Sequence, residues 1–168
     1  MQSSEPNEIK PPQLRSDRRV VLIGSMGVYG KMVDIAKMLS EHGVNVIIPE
    51  AESSLIHQLS LFDFEEFKRN VSFAYLRKIR DPKTYAVLAI NLDQHKILNY
   101  IGPNTFAELA VAFAQSKKMY IFQSVPDAYA DELSAWKTIN LLGDLTKLIE
   151  DFRRDCMVED SQLRFPGL

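Results

Sequence analysis

The chain has 168 residues, of which 46% are hydrophobic and 25% are charged, and its formal net charge is −2. A chain of this length usually folds as one domain, and this balance excludes a disordered or collagen-like protein. The weakly acidic sequence pI of about 5.9 argues against a nucleic-acid partner, because nucleic-acid binders normally carry a basic patch. A single cysteine, Cys156, excludes a disulfide framework and a Cys-rich zinc site.

Targeting and membrane signals are also missing from the pattern. No apolar run approaches the roughly 18 residues of a membrane-spanning helix, and the N-terminal region lacks the apolar core of a signal peptide. The sequence therefore predicts a cytoplasmic protein with no membrane partner.

The N-terminal segment differs from the rest of the chain. Residues 1–17 are polar and contain three of the eight prolines, a composition typical of a disordered arm. We expect a single domain over residues 18–158 and a C-terminal tail over residues 159–168.

Apolar runs and helical spacings alternate along this domain. Continuous apolar runs predict strands at 19–23, 44–48, 85–90 and 118–122. Apolar residues three and four apart predict helices at 28–42, 63–78 and 105–116, with Gly43 ending the first of them. Residues 50–60 show no clear pattern and are interpreted as a loop or a short helix.

The C-terminal third allows two interpretations. Residues 131–154 could form one long helix, or residues 138–142 could form a fifth strand followed by a turn and a helix capped by Asp144. The second is preferred, because Gly143 inside a helix would cost about 1 kcal/mol. Strands alternating with helices predict an α/β sandwich around a four- to five-stranded, mostly parallel sheet.

In such a sheet, ligands bind beyond the carboxyl ends of the strands. Polar and small residues are concentrated at those ends and in the loop before residue 105. This edge therefore supplies the candidate binding residues Gly24, Ser25, Met26, Tyr100, Gly102, Asn104 and Gln123, together with Asn91 and Asp93 as candidate catalytic residues.

The turn from Gly24 to Gly30 contains three glycines. Its spacing matches neither the G-x-G-x-x-G dinucleotide fingerprint nor a P-loop. The glycines are compatible with a tight turn that needs small residues, and equally with backbone contacts to a phosphate or a sugar.

Glu108 is the most informative single residue. Every other residue from Phe106 to Ala114 is apolar, which predicts a helix that is buried on all sides. An ionised carboxylate is costly to bury without partners. Its presence therefore requires either a structural or a chemical explanation.

Two explanations remain open from spacing. Thr105 and Glu108 match a capping box, in which the carboxylate folds back onto the backbone N–H of Thr105. Alternatively, Glu108 is a nucleophile or an acid–base group that faces the strand ends. Asn91 and Asp93 would then lie nearby, and paired polar groups of this kind suit chemistry at an anomeric carbon.

Several of these motifs together resemble the nucleoside 2-deoxyribosyltransferase-like family. The resemblance spans residues 20–122, and its most specific part is the block Tyr100-Ile-Gly-Pro-Asn-Thr-Phe-Ala-Glu108. It implies a flavodoxin-like, Rossmann-like three-layer fold. It also implies that Glu108 attacks C1′ of a deoxynucleoside to form a glycosyl-enzyme, which another base or water then resolves.

The resemblance has further implications for the site. It places Gly24 and Ser25 near the sugar or phosphate and gives a ligand-holding role to Asn91 or Asp93, with Asp81 as a third candidate. It implies a nucleoside or nucleotide ligand, no cofactor and a homo-oligomer. The chain has Gly102 where family members have an aspartate six residues before the glutamate. A hydrolase and a nucleotide-binding module without turnover are therefore alternatives.

The other chemically notable residues have mostly structural interpretations. His42, His57 and His95 lack metal-ligand spacing, so no metal site is predicted. Tyr29 and Tyr100, in the site loops, are candidates for stacking on a nucleobase. A row of aromatic residues around the second helix is interpreted as helix packing rather than as a base-stacking platform: Phe62, Phe64, Phe67, Phe73 and Tyr75.

Overall fold

A computed structural model describes residues 16–51 and 58–157. The strands are β1 (Arg19–Ile23), β2 (Val46–Ile47), β3 (Thr84–Ala89), β4 (Lys118–Ile121) and β5 (Ile139–Asn140). The helices are α1 (Tyr29–Glu41), α2 (Leu61–Arg80), α3 (Pro103–Ala114), α4 (Ala130–Ala135) and α5 (Thr146–Phe152). Most of the predicted arm, part of the 50–60 segment with His57, and the predicted tail lie outside the described residues.

The described strands form one parallel sheet in the order β2-β1-β3-β4-β5. This order is that of a doubly wound, flavodoxin-like sheet. The predicted α/β class, the parallel sheet and the three layers are confirmed. The chain reverses its direction of travel across the sheet between β1 and β3, and in folds of this kind such a reversal point is where ligands usually bind.

The central strands are buried on both faces, which explains their continuous apolar runs. In β1, Val20 and Leu22 pack into one core while Val21 and Ile23 pack into the other, and all four are 0% exposed. Helices α1 and α5 cover the first face, through residues such as Met32. Helices α2, α3 and α4 cover the second face, through Ile79, Leu109 and Leu133.

The preferred interpretation of the C-terminal third is confirmed. Helix α4 ends at Ala135, and a short strand and a turn separate it from α5, so one long helix is wrong. Gly143 has a φ of +81°, a left-handed conformation that glycine adopts without strain. The Asp144 carboxylate accepts a hydrogen bond of 2.9 Å from the backbone N–H of Thr146 at the start of α5.

Two helices differ from the expectations. Helix α3 is not buried on all sides, because Phe113 is 46% exposed and only one side of the helix packs on the sheet. The aromatic row of α2 does not pack in the core. Tyr75 is buried, whereas Phe62, Phe64, Phe67 and Phe73 are exposed. The reason is that residues 61–74 extend past the sheet that the end of the helix covers.

Among residues 16–51 and 58–157, no helix combines the length and apolar character that crossing a membrane requires.

Candidate functional site

The candidate site lies at the carboxyl edge of the sheet, where β1 and β3 end side by side. The backbone N–H of Ile90 donates to the carbonyl of Ile23 at 2.8 Å, which aligns the ends of the two strands. The loops that leave them begin at Gly24 and Asn91. In a doubly wound sheet this reversal point is the usual ligand crevice.

Gly24 is the glycine that this turn requires most. A Cβ at Gly24 would lie 2.7 Å from the Met32 methyl carbon and 3.0 Å from the Ile90 carbonyl oxygen. A side chain at Gly24 would therefore require the flexible end of Met32 to move and the Ile90 backbone to give way. A Cβ at Gly30, by contrast, would meet no heavy atom within 4 Å. The packing explains Gly24 structurally, while the exposure of Gly27 leaves the turn open to a ligand.

Ser25 is held by a residue that the sequence did not single out. Its hydroxyl donates to the Gln94 side-chain oxygen at 2.7 Å. Gln94 begins a tight turn closed by two backbone hydrogen bonds with Ile97, with His95 and Lys96 at positive φ. This turn fastens the loop after β3 onto the loop after β1. No local motif identifies Gln94, because its partner lies 69 residues away.

Asn91 ties three loop segments together and is 0% exposed. Its side-chain amide donates to the carbonyls of Ser124 at 2.7 Å and Asn99 at 3.2 Å. Its side-chain oxygen accepts from the backbone N–H of Gln123 at 2.9 Å. Because all of these groups are backbone atoms, Asn91 positions the loops that follow β3 and β4.

Asp93 and Asn99 organise the same loop nearer the surface. The Asp93 carboxylate accepts from the backbone N–H of Asn99 at 2.8 Å, and the Asn99 amide donates to the Ser124 hydroxyl at 3.0 Å. Asn99 adopts a positive φ of 54°, which asparagine tolerates better than most residues. One oxygen of the exposed Asp93 is thus occupied by its own loop.

The remaining predicted binding residues lie on the loops that these hydrogen bonds join and on the helix that follows. Tyr100 packs edge-on against His95, with ring centroids 5.0 Å apart. The Tyr100 hydroxyl would lie 3.2 Å from a Cβ at Gly102, which is the residue before α3. Met26 begins the single 3₁₀ turn before α1. Asn104 lies exposed in the first turn of α3, and Gln123 lies half-buried after β4.

Glu108 does not belong to a capping box, so this interpretation is wrong. Helix α3 begins at Pro103, and its N-cap is Gly102. Thr105 is therefore already inside the helix. The backbone N–H of Phe106 donates to the Gly102 carbonyl at 3.0 Å, which closes the first turn. Proline is favoured at the first helical position because its missing N–H would be unsatisfied there anyway.

The Glu108 carboxylate is half-buried and has neither a hydrogen-bond partner nor an ion-pair partner among the described residues. Burial raises its pKa from 4.5 to about 7, because desolvation disfavours the ionised form. At neutral pH it therefore exists as a mixture of carboxylate and carboxylic acid. A carboxyl group in this condition is available to a ligand and titrates in the range that acid–base and nucleophilic chemistry use.

Tyr75 of α2 links Glu108 to the end of β1. Its hydroxyl donates to the Leu22 carbonyl, on the side of β1 where β2 has already ended. Burial, and secondarily the charge of Glu108, raise the pKa of Tyr75 above its usual value. The charge of Glu108 therefore acts on the Tyr75 phenol, which lies beside the carboxyl end of β1. From the sequence alone, Tyr75 is expected only to pack.

Other candidate residues lie elsewhere. Asp81 precedes β3 at the opposite edge of the sheet and pairs with Arg19 at 3.1 Å, so it cannot support Glu108. The His42 ring contacts the Met38 carbonyl at 2.8 Å, far from the site loops. In the described part of the chain, no group of three or more His, Cys, Asp and Glu residues could hold a metal ion.

An open pocket of about 260 Å³ also lies outside the site. Its lining comes from the end of α1, the β5–α5 connection and α5: Met38, His42, Gly143, Asp144, Leu145, Thr146 and Ile149. It contains none of the candidate catalytic or ligand-binding residues.

Comparisons with known proteins do not assign the chain. No family model matches it, and neither a curated protein nor a solved structure matches it. The geometry of this edge of the sheet therefore carries the functional argument.

Proposed function

We propose that the protein cleaves or transfers the N-glycosidic bond of a nucleoside or nucleotide, with Glu108 as the nucleophile. The observation that carries the proposal is the Glu108 carboxyl group. It is half-buried in the second turn of α3, has no partner in the described structure, and its charge acts on Tyr75, whose hydroxyl donates to the Leu22 carbonyl of β1. The nucleoside as substrate class comes from the resemblance of residues 100–108 to the deoxyribosyltransferase-like family.

The reaction would proceed in two displacement steps. A Glu108 carboxylate oxygen bonds to C1′ while the C1′–N bond breaks, and the base leaves with the electron pair and takes up a proton from solvent. Water or a second base then attacks C1′ and releases the carboxylate. Attack by water makes the protein a hydrolase, and attack by another base makes it a transferase.

The surrounding residues have supporting roles in this proposal. Gly27 and Ser25 present the turn after β1 to the sugar or its phosphate. Asn91 and Asp93 hold the loop after β3 in position, and Asn104 at the start of α3 is free to contact the sugar. Tyr100 and Tyr29 are available to stack on the base. No cofactor is needed, and we propose the cytoplasm as the working location.

The direct test is release of free base from deoxynucleosides and their monophosphates. Wild-type protein should release base, whereas Glu108→Ala and Glu108→Gln should lose this activity by about 10³-fold or more while remaining folded by circular dichroism. Turnover at the wild-type rate in folded Glu108→Ala would exclude Glu108 as the nucleophile.

The pH dependence separates two roles for Glu108. A nucleophile must be ionised, so kcat/KM should rise with pH up to about 7, the pKa of the free group, and then level off. A general acid must be protonated, so the same profile would instead fall above pH 7. The proposal predicts the rising profile.

One observation favours a second candidate, a nucleotide-binding module without turnover. The Asn91 side chain is fully occupied by backbone partners, and one Asp93 oxygen is occupied by Asn99. Asn91 is therefore not a free partner for Glu108, and Asp93 has only one carboxylate oxygen left. A nucleotide that raises the melting temperature and is recovered intact after long incubation would favour this candidate, whereas recovery of free base would favour the enzyme.

A further inference from the structure

Four aromatic side chains form a continuous stack between α3 and α4. The Tyr129 ring stacks on Phe106 with ring centroids 4.2 Å apart, and Phe106 stacks on Trp136 at 5.5 Å. Trp136 in turn stacks on Phe113 at 4.9 Å. The interplanar angles are at most 16°, so the rings lie nearly parallel. We call these four residues the aromatic stack.

The aromatic stack is open to solvent at the end formed by Phe113. This side chain is 46% exposed, and the other three rings are partly exposed. Phe113 lies in the last turn of α3, shortly before β4 begins, so the open end is near the amino edge of the sheet, away from the candidate site. Exposed aromatic rings in a row are the surface on which extended proline-rich segments pack.

The chain enters the described structure close to this end of α3. Arg19 pairs with the Asp81 carboxylate at 3.1 Å, and the Lys117 side-chain nitrogen donates to the Asp81 carbonyl at 2.9 Å. Lys117 lies three residues after the end of α3. Ser16, the first described residue, is only three residues before Arg19. Residues 1–15 are therefore attached to the domain beside the open end of the aromatic stack.

The nearest part of this attached segment has the composition and the length to reach the aromatic stack. Residues 9–15 read Ile-Lys-Pro-Pro-Gln-Leu-Arg, and adjacent prolines favour a polyproline II conformation. At a rise of about 3.1 Å per residue, this segment extends about 22 Å from Ser16. Packed helices lie about 8–10 Å apart, so the segment is long enough to cross the end of α3 and reach α4.

Charge complementarity favours the same segment. Residues 9–15 carry two cations and no acid. The segments that carry the aromatic stack, residues 103–118 and 127–137, contain four acids and three lysines: Glu108, Asp127, Asp131, Glu132, Lys117, Lys118 and Lys137.

The positions of these charges leave an acidic surface beside the rings. Lys117 and Lys118 contact the Asp81 carbonyl and the Asp155 carboxylate. Glu132, in contrast, is exposed on α4 and precedes Trp136 by four residues, which places it on the same side of the helix. A cation next to the prolines therefore meets a carboxylate next to the rings.

The C-terminal segment is a poorer match for this surface. Residues 158–168 follow Cys156, which packs in the core on the opposite face of the sheet with α1 and α5. They carry two acids, Glu159 and Asp160, against one cation, Arg164. Both the starting point and the charge of this segment disfavour it as the occupant.

We propose that residues 9–15 pack in an extended conformation across the open end of the aromatic stack. The two prolines contact the Phe113 and Trp136 rings, and Lys10 faces Glu132. The segment is then an intramolecular strap that connects the start of β1 to α4. This proposal does not depend on the catalytic proposal, because the aromatic stack contains none of the candidate site residues.

Fluorescence of the full chain tests the strap, because Trp136 is the one tryptophan of the sequence. Pro11→Ser/Pro12→Ser should release the segment, shift the Trp136 emission to longer wavelength and increase its quenching by acrylamide. Far-ultraviolet circular dichroism should stay unchanged, because both positions precede the described domain. The matched control is Pro6→Ser, the same kind of change outside residues 9–15, which should leave the emission and the quenching as in wild type.

A synthetic peptide of residues 9–15 distinguishes the chain's own segment from a separate proline-rich partner. The peptide should bind the full-length Pro11→Ser/Pro12→Ser variant, and adding Phe113→Ser to this variant should abolish binding. It should bind wild type at least about tenfold more weakly, because the tethered segment competes at a millimolar effective concentration.

Three results would overturn the proposal. Equal affinity of the peptide for wild type and for the double proline variant would show that the surface is open and serves another protein. Absence of peptide binding to the double proline variant would show that residues 9–15 do not fit the aromatic stack. Trp136 emission and quenching that do not change in that variant would show that the segment does not cover the rings.

Discussion

Asn91 and Glu108 are two polar side chains at the same edge of the sheet with opposite hydrogen-bonding situations. Asn91 is fully buried, and its amide and oxygen are used by three backbone groups. Glu108 is half-buried and has no such partner in the described structure. A buried polar group normally finds its hydrogen bonds within the protein. The Glu108 carboxyl group is therefore available to hydrogen-bond to a ligand, whereas the hydrogen-bonding groups of Asn91 are already used within the fold.

Burial of Glu108 should make stability depend on pH. Its pKa is 4.5 as an isolated group and about 7 in the folded protein, so the folded state binds more protons between these values. The contribution to stability is present below pH 4.5 and is lost as pH rises through 7. The Glu108→Gln side chain cannot ionise, so this variant keeps the stability that wild type loses. The difference in free energy of unfolding between the variant and wild type should be about 2 kcal/mol more favourable to the variant at pH 8 than at pH 5.

Urea unfolding of both proteins at the two pH values measures this difference. A gain that stays constant with pH would contradict the burial of an ionisable group at this position. A capping-box glutamate would give the opposite sign, since its replacement would destabilise the protein at neutral pH.

The sequence could identify Glu108 as unusual but could not choose between its two explanations. The isolation of one carboxylate among apolar residues is visible in the string from Phe106 to Ala114. The choice depends on where α3 begins. The Gly102-Pro103 pair signals that start, whereas the Thr105–Glu108 spacing resembles an N-cap three residues later.

At the scale of elements, the turn from β1 to α1 is constrained by packing at one glycine and not at another. Gly24→Ala should destabilise the protein by about 1–3 kcal/mol, because the new methyl would be forced against Met32 and the Ile90 carbonyl. Gly30→Ala is the control. It introduces alanine in the first turn of α1 with no atom within 4 Å and should stabilise by about 0.5–1 kcal/mol.

Thermal and urea unfolding of the two variants would measure both values. If Gly24→Ala were as stable as Gly30→Ala, the close approach of this turn to β3 would be wrong.

Helix α2 shows what periodicity can and cannot predict. The spacing of Phe64, Phe67 and Val71 correctly predicts a helix with an apolar side. It does not say which surface covers that side, because the covering surface is set by how far the helix extends past the sheet. The expected packing is correct for Tyr75 and wrong for the residues before it.

At the scale of the whole molecule, the two edges of the sheet hold different chemistry. The carboxyl edge carries Glu108 and loops tied by amide hydrogen bonds. Near the opposite edge, the buried Asp151 carboxylate accepts from the Tyr120 hydroxyl at 2.7 Å and contacts the side-chain nitrogens of Lys147 at 2.6 Å and Arg154 at 3.1 Å. The Asp151 carboxylate is thus paired with cations, whereas the Glu108 carboxyl at the candidate site has no ion-pair partner among the described residues.

This network predicts a loss of stability in acid. Burial opposes ionisation of Asp151, but hydrogen bonds from Lys147 and Tyr120 prevail and lower its pKa below 3.8. Its contribution is present above the unfolded pKa and is lost as pH falls through the lower folded pKa. Asp151→Asn should lower the free energy of unfolding by about 2 kcal/mol at pH 7. Breaking a fully enclosed ion pair would cost more, because here Lys147 and Arg154 are partly exposed.

Urea unfolding at pH 7 and pH 2.5 tests this prediction. The difference between Asp151→Asn and wild type should shrink at the lower pH, because pH 2.5 lies below the unfolded pKa and the unfolded state then takes up the proton that the folded carboxylate resists. A difference that is equally large at both values would show that shape, not charge, makes Asp151 important.

The fold was more predictable than the site because the two depend on different interactions. A continuous apolar run such as Val20–Ile23 predicts a strand that is buried on both faces, and this pattern is visible within one short segment. The contacts of the site join residues far apart in the chain, such as Ser25 with Gln94 and Asn91 with Ser124. No spacing within one segment reveals such pairs, so the sequence places the candidate residues at one edge of the sheet but does not predict the hydrogen bonds that join them.

The most direct test of Glu108 as the nucleophile is the mass of the protein trapped during turnover. Wild type quenched in acid with a deoxynucleoside or its monophosphate should gain one deoxyribosyl unit, with its phosphate where present, on the peptide that contains Glu108. Glu108→Gln should gain none. Base release without any adduct on this peptide, and undiminished in Glu108→Ala, would contradict the account.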